Sequence, residues 1–172
     1  MEKDDNKITR ILIAYDGSGY SHAALSELRC GGLPDKADVL MISVSEIWLP
    51  PPVKYQETES VPDSDLAEYS QKHTEQTNRN LAETKVIVCQ AREELLRYFP
   101  DWNIKSETVT GSPAREILSR ALEFKPDLIV AGARGLSSDQ ETGLGSISQK
   151  LLTAAKCSVR ISRLKPEVSG PG

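Results

Sequence analysis

Soft metal-ligating side chains are scarce: three cysteines and two histidines in 172 residues. Cys30, Cys89 and Cys157 lie far apart, and neither His22 nor His73 stands near any of them. A zinc site draws on clustered ligands, usually Cys-x-x-Cys or a histidine at short spacing, and this pattern supplies no such cluster. The three thiols therefore read as reduced, mostly buried small hydrophobes. A long apolar run is also missing, so no bilayer span and no membrane contact are expected. Residues 1–7 are charged and lack the apolar core of a signal peptide, which leads to the expectation of a cytoplasmic chain. Basic excess is absent too. Lysine and arginine number 21 against 25 aspartates and glutamates, for a net charge of −4 and a pI near 5.3. A nucleic-acid surface needs a basic face, so none is expected here.

What the chain does contain is an alternation of short β-branched runs with helical patterns. Ile11, Leu12, Ile13 and Ala14 form a continuous apolar run that ends at Tyr15-Asp16-Gly17-Ser18. Such runs mark strands buried on both faces, as in a parallel sheet. Further strands are predicted at 39–44, at 104–109 with the more alternating pattern of an edge, at 128–131, and around Val159 and Ile161. Between them lie helices. Ala23, Ala24, Leu25 and Leu28 recur at helical spacing, with Gly31-Gly32 as a stop. Ser112-Pro113 is a start signal for a helix burying Ile117, Leu118, Ala121 and Leu122. The last helix carries Ile147, Leu151, Leu152 and Ala155. Strand and helix in strict alternation define an α/β class with a doubly wound sheet.

Residues 48–65 interrupt this order. They hold Pro50, Pro51, Pro52 and Pro62 among polar residues and read as an irregular excursion. A long helical pattern follows over 66–98, with an apolar stripe of Leu81, Val88, Ala91, Leu95 and Phe99. Its first half, 71–80, is almost wholly polar and is expected to face solvent or a partner. The length fits one domain, taken as 1–165 with an insertion around 48–80 and a frayed tail at 166–172.

One stretch carries chemistry. Ala131-Gly132-Ala133-Arg134-Gly135 leaves a buried strand, and nine residues later Gly145-Ser146 opens a helix. In a doubly wound sheet this lies at the carboxyl edge of the strands, where ligands bind. Glycine lets backbone N–H groups approach an anion closely, and the start of the next helix adds unpaired N–H donors. Ser146 has a hydroxyl to give to a phosphate oxygen. Arg134 either reaches phosphate or is solvated. The turn Asp16-Gly17-Ser18-Gly19 faces this loop if the first and fourth strands are neighbours. Asp16 then holds Mg²⁺ or contacts the nucleotide, unless it only caps the following helix. The loop is not Walker A, which needs Gly-Lys-Ser/Thr, and the first turn lacks Gly-x-Gly-x-x-Gly.

On these residues the chain resembles the universal stress protein family. Gly132, Gly135, Gly145 and Ser146 match the G-x2-G-x9-G-[S/T] spacing of its ATP-binding members, and residues 11–18 and Gly111-Ser112-Pro113 are similar to its first loop and third helix start. The likeness spans 8–163, apart from about 48–80. It implies an open five-stranded parallel sheet in the order 3-2-1-4-5 with helices on both faces, Rossmann-like and similar to the adenine nucleotide alpha hydrolases. It implies ATP, or another adenine nucleotide, at the carboxyl edge, with Asp16 near the phosphates or metal. Val44 matches the position whose backbone reads adenine, and Ala14 one that lines the adenine pocket. Ala131 and Ile147 flank the glycine loop. A homodimer through the fifth strand, Ser158–Ser162, is also implied, and an unpaired edge strand gives a physical reason for it.

No nucleophile–base pair stands out, and His22 reads as an early-helix residue rather than a general base. The leading expectation is a regulatory nucleotide-binding protein of stress responses, with little or no hydrolysis. The alternatives are an enzyme of related architecture, an ATPase or adenylyl transferase, and an interaction module without nucleotide.

Overall fold

The computed structural model describes residues 8–45, 63–136 and 143–164, with 63–70, 72 and 73 described in backbone only. Five strands and four helices alternate: β1 Thr9–Ala14, α1 Gly19–Leu28, β2 Ala37–Ser45, α2 Asp63–Tyr98, β3 Asn103–Thr110, α3 Pro113–Phe124, β4 Leu128–Gly132, α4 Ser146–Ala154 and β5 Ser158–Ser162. The strands form one sheet in the order β3-β2-β1-β4-β5, parallel throughout. This is the expected class and strand order. Of the excursion expected at 48–65, residues 48–62 lie outside the described residues, as does the tail at 166–172, while 63–65 belong to α2.

Strand alternation divides the core in two. Ile11, Ile13, Val39, Met41, Ile104 and Val130 point to one face and pack with Ala24, Leu25 and Leu28 of α1 and Val88, Ala91 and Leu95 of α2. Leu12, Ile42, Ile129 and Ala131 point to the other and pack with Ile117 of α3 and Leu151 of α4. β1 is central and carries apolar residues on both faces, which is why its run has no polar break. Full burial of each such aliphatic side chain contributes about 1.5–3 kcal/mol.

Several details differ from the sequence reading. Leu122, expected on the buried face of α3, is 59% exposed, and Leu152, one of the apolar residues that mark α4, is 47% exposed. Each lies on the outer side of its helix, where it shields no strand. The cysteines are not buried: Cys30 and Cys89 are exposed and Cys157 is half-buried. Cys30 follows the end of α1, and Cys89 is one residue off the Val88 stripe, a rotation of roughly 100° around the helix. Ser112 occupies the N-cap of α3 without making a side-chain cap bond.

α2 has 36 residues, a length of about 54 Å, more than the strands it covers. It begins at Asp63 rather than at residue 66. Over 71–80 the polar side chains pair along the helix, with Gln71 Nε2 donating to Glu75 Oε1 at 3.2 Å and Gln76 Nε2 to Asn80 Oδ1 at 2.8 Å. Such i,i+4 pairs support a helix that has little apolar face of its own.

Candidate functional site

β1 ends earlier than its neighbour β2. The β1–β2 ladder stops at Ala14 opposite Ile42, with one last bond from Tyr15 N–H to the Ile42 carbonyl at 2.9 Å. β2 continues to Ser45, paired with β3 alone, and the Ser45 carbonyl accepts from Gly111 N–H on that side at 3.1 Å. Backbone direction alternates along a strand. Val44 therefore turns its N–H and carbonyl toward the side that β1 has vacated. That gap at the switch between β1 and β4 is the mouth of a cavity of about 380 Å³, within the roughly 300–1,000 Å³ common for small-molecule sites.

Eight residues singled out in the sequence line this cavity: Ala14, Asp16, Val44, Ala131, Gly132, Arg134, Gly135 and Ile147. Gly145 and Ser146 adjoin it at the start of α4 but are not among its lining residues. One wall is apolar, formed by Ala14, Ile42, Val44, Pro113 and Ile117. Asp16 and the loop residues Gly132, Arg134 and Gly135 line the cavity as well.

Asp16 is not the helix cap. Ser18 is, accepting from Ser21 N–H at 3.2 Å. Asp16 Oδ1 instead accepts from Ser18 N–H at 3.0 Å, folding the turn back so that Oδ2 faces Gly135. A β-carbon on Gly135 would come within 2.8 Å of that oxygen. The glycine there permits close approach of loop and carboxylate.

The other glycines serve packing. A β-carbon on Gly132 would lie 2.7 Å from the Tyr20 carbonyl carbon and 2.9 Å from Ser21 N, so Gly132 lets β4 meet the backbone of α1. Gly145 N–H donates to the Ala133 carbonyl at 2.8 Å. Its amide closes the loop instead of pointing into the cavity. Ser148, 2% exposed, reinforces this closure by donating to the Gly132 and Ala133 carbonyls at 2.8 and 3.0 Å. The remaining donors sit one residue further on. With no side-chain cap at Gly145, the N–H groups of Ser146 and Ile147 have no partner within α4 and carry the positive end of its dipole.

Arg134 is not solvated. It is 8% exposed, and its Nε and Nη2 both donate to the Gly143 carbonyl at 3.3 Å. The guanidinium ties together the two ends of the glycine loop, whose middle, 137–142, lies outside the described residues. Tyr15 has its hydroxyl 2.8 Å from His22 Nε2. Burial, with the charges of Glu94 and Asp16 adding to it, pushes Tyr15 up to about 12, so it stays a neutral phenol at physiological pH.

Sequence reasoning missed the α2 side of the cavity, where Asn80, Glu83, Thr84 and Ile87 line it. Their i, i+3, i+4, i+7 spacing was the available signal. Polar residues at this spacing do not mark a buried face, and only the docking of α2 over the β1 turn gives them a role. Among the described residues no group of three or more His, Cys, Asp or Glu side chains is placed to hold a metal ion, and no helix is long and apolar enough to cross a membrane.

A parallel sheet in the order β3-β2-β1-β4-β5, with glycine-loop residues lining a cavity at its carboxyl edge, defines a doubly wound α/β domain. Residues 7–163 match the universal stress protein family, and the chain belongs to it. The "universal stress protein in QAH/OAS sulfhydrylase 3′region" of Thermus aquaticus is 29% identical over 153 residues, 89% of this chain and 97% of that one. The solved UspA of Lactobacillus plantarum superposes with a TM-score of 0.69 at 24% identity, covering 91% of this chain and 99% of its own. A universal stress protein family structure from Arabidopsis thaliana, with AMP bound, gives a TM-score of 0.56 at 14% identity over 95% and 96% of the two chains.

Proposed function

We propose that the chain binds an adenine nucleotide, ATP with Mg²⁺, in the cavity at the end of β1 and acts as a regulatory protein of the stress response with little or no hydrolysis. The observation that carries this reading is the polarity of the cavity. Apolar Ala14, Ile42, Val44, Pro113 and Ile117 line it together with Asp16 and Gly135, which lie against each other. Base against the apolar residues and phosphates at the loop is the orientation that this lining favours.

Val44 would pair its N–H and carbonyl with the edge of adenine. The Ser146 and Ile147 amides and the Ser146 hydroxyl would meet phosphate. Asp16 would supply the protein carboxylate for Mg²⁺, which binds through one or two carboxylates plus phosphate oxygens. Gly132, Arg134 and Gly145 would hold the loop in shape, while Ala131 and Ile147 flank it. The AMP in the Arabidopsis relative supports the nucleotide class. The edge position of β5 supports a homodimer through Ser158–Ser162.

Native mass spectrometry of the purified protein, followed by titration calorimetry with Mg-ATP, tests this. A co-purifying adenine nucleotide or saturable binding supports the reading. A protein free of nucleotide and silent in calorimetry overturns it. Single-turnover hydrolysis of labelled ATP then separates a regulator from an ATPase.

A further inference from the structure

Asn80, Glu83 and Thr84 form a polar face of α2 along the cavity, with Asn80 and Thr84 half-buried and Glu83 exposed, and Ile87 fixes how that face is presented. A β-carbon on Gly17 would stand 3.0 Å from Ile87 Cγ2, so α2 rests directly on the turn that carries Asp16. The hydrogen-bonding capacity left on this face is specific. Asn80 Oδ1 is taken by Gln76 Nε2 at 2.8 Å, which leaves the Asn80 NH₂ as donors. Thr84 Oγ1 spends its proton on the Asn80 carbonyl at 2.7 Å, which leaves its lone pairs as acceptors. Glu83 adds a carboxylate, an acceptor at both oxygens.

Charge decides what such a face can meet. A carboxylate repels phosphate, and the phosphate donors lie at the start of α4. Adenine has its place against Val44. The part of a nucleotide that joins base to phosphate and carries neighbouring hydroxyl donors is the ribose. We infer that the Asn80–Glu83–Thr84 face of α2 recognises the ribose vicinal diol, with Glu83 accepting from the hydroxyls and Asn80 donating to one of them, and that it makes the site selective for ribonucleotides. This rests on the nucleotide reading above and deepens it. Glu83 is then a specificity-determining residue. A hydrogen bond to an ionised group is among the stronger ones, so removing it is expected to cost roughly tenfold in affinity.

The test is calorimetry with AMP and 2′-deoxy-AMP in metal-free buffer, on the wild type and on Glu83→Gln, Glu83→Ala and Asn80→Ala. The expected result is a wild type that prefers AMP by roughly tenfold. Glu83→Ala then loses most of that preference and Glu83→Gln part of it, each falling further for AMP than for 2′-deoxy-AMP, which keeps its 3′-hydroxyl, and Asn80→Ala shows a smaller loss. Equal wild-type affinity for the two nucleotides overturns the inference while leaving the nucleotide site standing. So does a Glu83→Ala loss of equal size for both, or one that emerges only with Mg²⁺. Failure of the wild type to bind either nucleotide overturns both readings.

Discussion

Asp16 and Gly135 are in direct apposition: the carboxylate oxygen Oδ2 occupies the space into which a β-carbon on Gly135 would project, at 2.8 Å. The other oxygen is held by Ser18 N–H at 3.0 Å, so the carboxylate has little freedom to move aside. Gly135→Val is therefore expected to displace Asp16 and fill the approach to the loop. Affinity for Mg-ATP falls by at least about tenfold while the fold persists, since one displaced side chain at a half-buried loop costs about 1–3 kcal/mol. Calorimetry paired with thermal melting checks both halves.

Gly132 gives the opposite pattern. Its missing β-carbon would strike the backbone of Tyr20 and Ser21 at 2.7–2.9 Å, and backbone within a helix does not give way cheaply. Gly132→Ala is expected to lower the Tm by roughly 3–10 °C. A melting temperature equal to wild type would mean that α1 does not approach β4 this closely.

Asp16 combines a turn bond with a charge, and Asp16→Asn separates them. The amide oxygen still accepts from Ser18 N–H, so stability changes by less than about 1 kcal/mol. Binding of Mg-ATP should fall more than binding of metal-free ATP. Equal losses in the two conditions would assign the carboxylate to the turn alone.

These glycines also define what the sequence makes legible. The β1 and β4 runs, with no polar face, mark strands buried on both sides of a parallel sheet, whereas the strand order follows from the family resemblance and not from the runs themselves. The glycine spacing locates the loop, yet it does not distinguish Gly135, which faces a carboxylate, from Gly132, which faces a helix. That depends on which element packs above each one. Leu122 and Leu152 mislead because apolar character alone does not say which side of a helix meets the sheet. Glu83 and Asn80 escape notice for the converse reason. Polar residues on a polar helix give no contrast until α2 is laid across the β1 turn.

Tyr15 gives a pH signature. Its phenol titrates at about 12 in the folded protein against 10.0 ordinarily, chiefly through burial. Between these values the folded chain keeps a proton that the unfolded chain has lost, so stability is undiminished below about pH 10 and declines as pH rises toward 12. Urea unfolding across pH 9–12 should show this decline, and Tyr15→Phe should flatten part of it. An unchanged slope in the variant would locate the alkaline sensitivity elsewhere.

The most direct measurement is an amide-resolved NMR titration of the ¹⁵N-labelled protein with Mg-ATP. Saturable shifts are expected at Val44, Ser146 and Ile147, the backbone positions assigned to base and phosphate, and at Gly135, which lies against Asp16, with Gly145 less affected because its N–H stays on Ala133. A titration in which these four resonances remain still, whether nothing moves or a different surface responds, would contradict a nucleotide site at the end of β1.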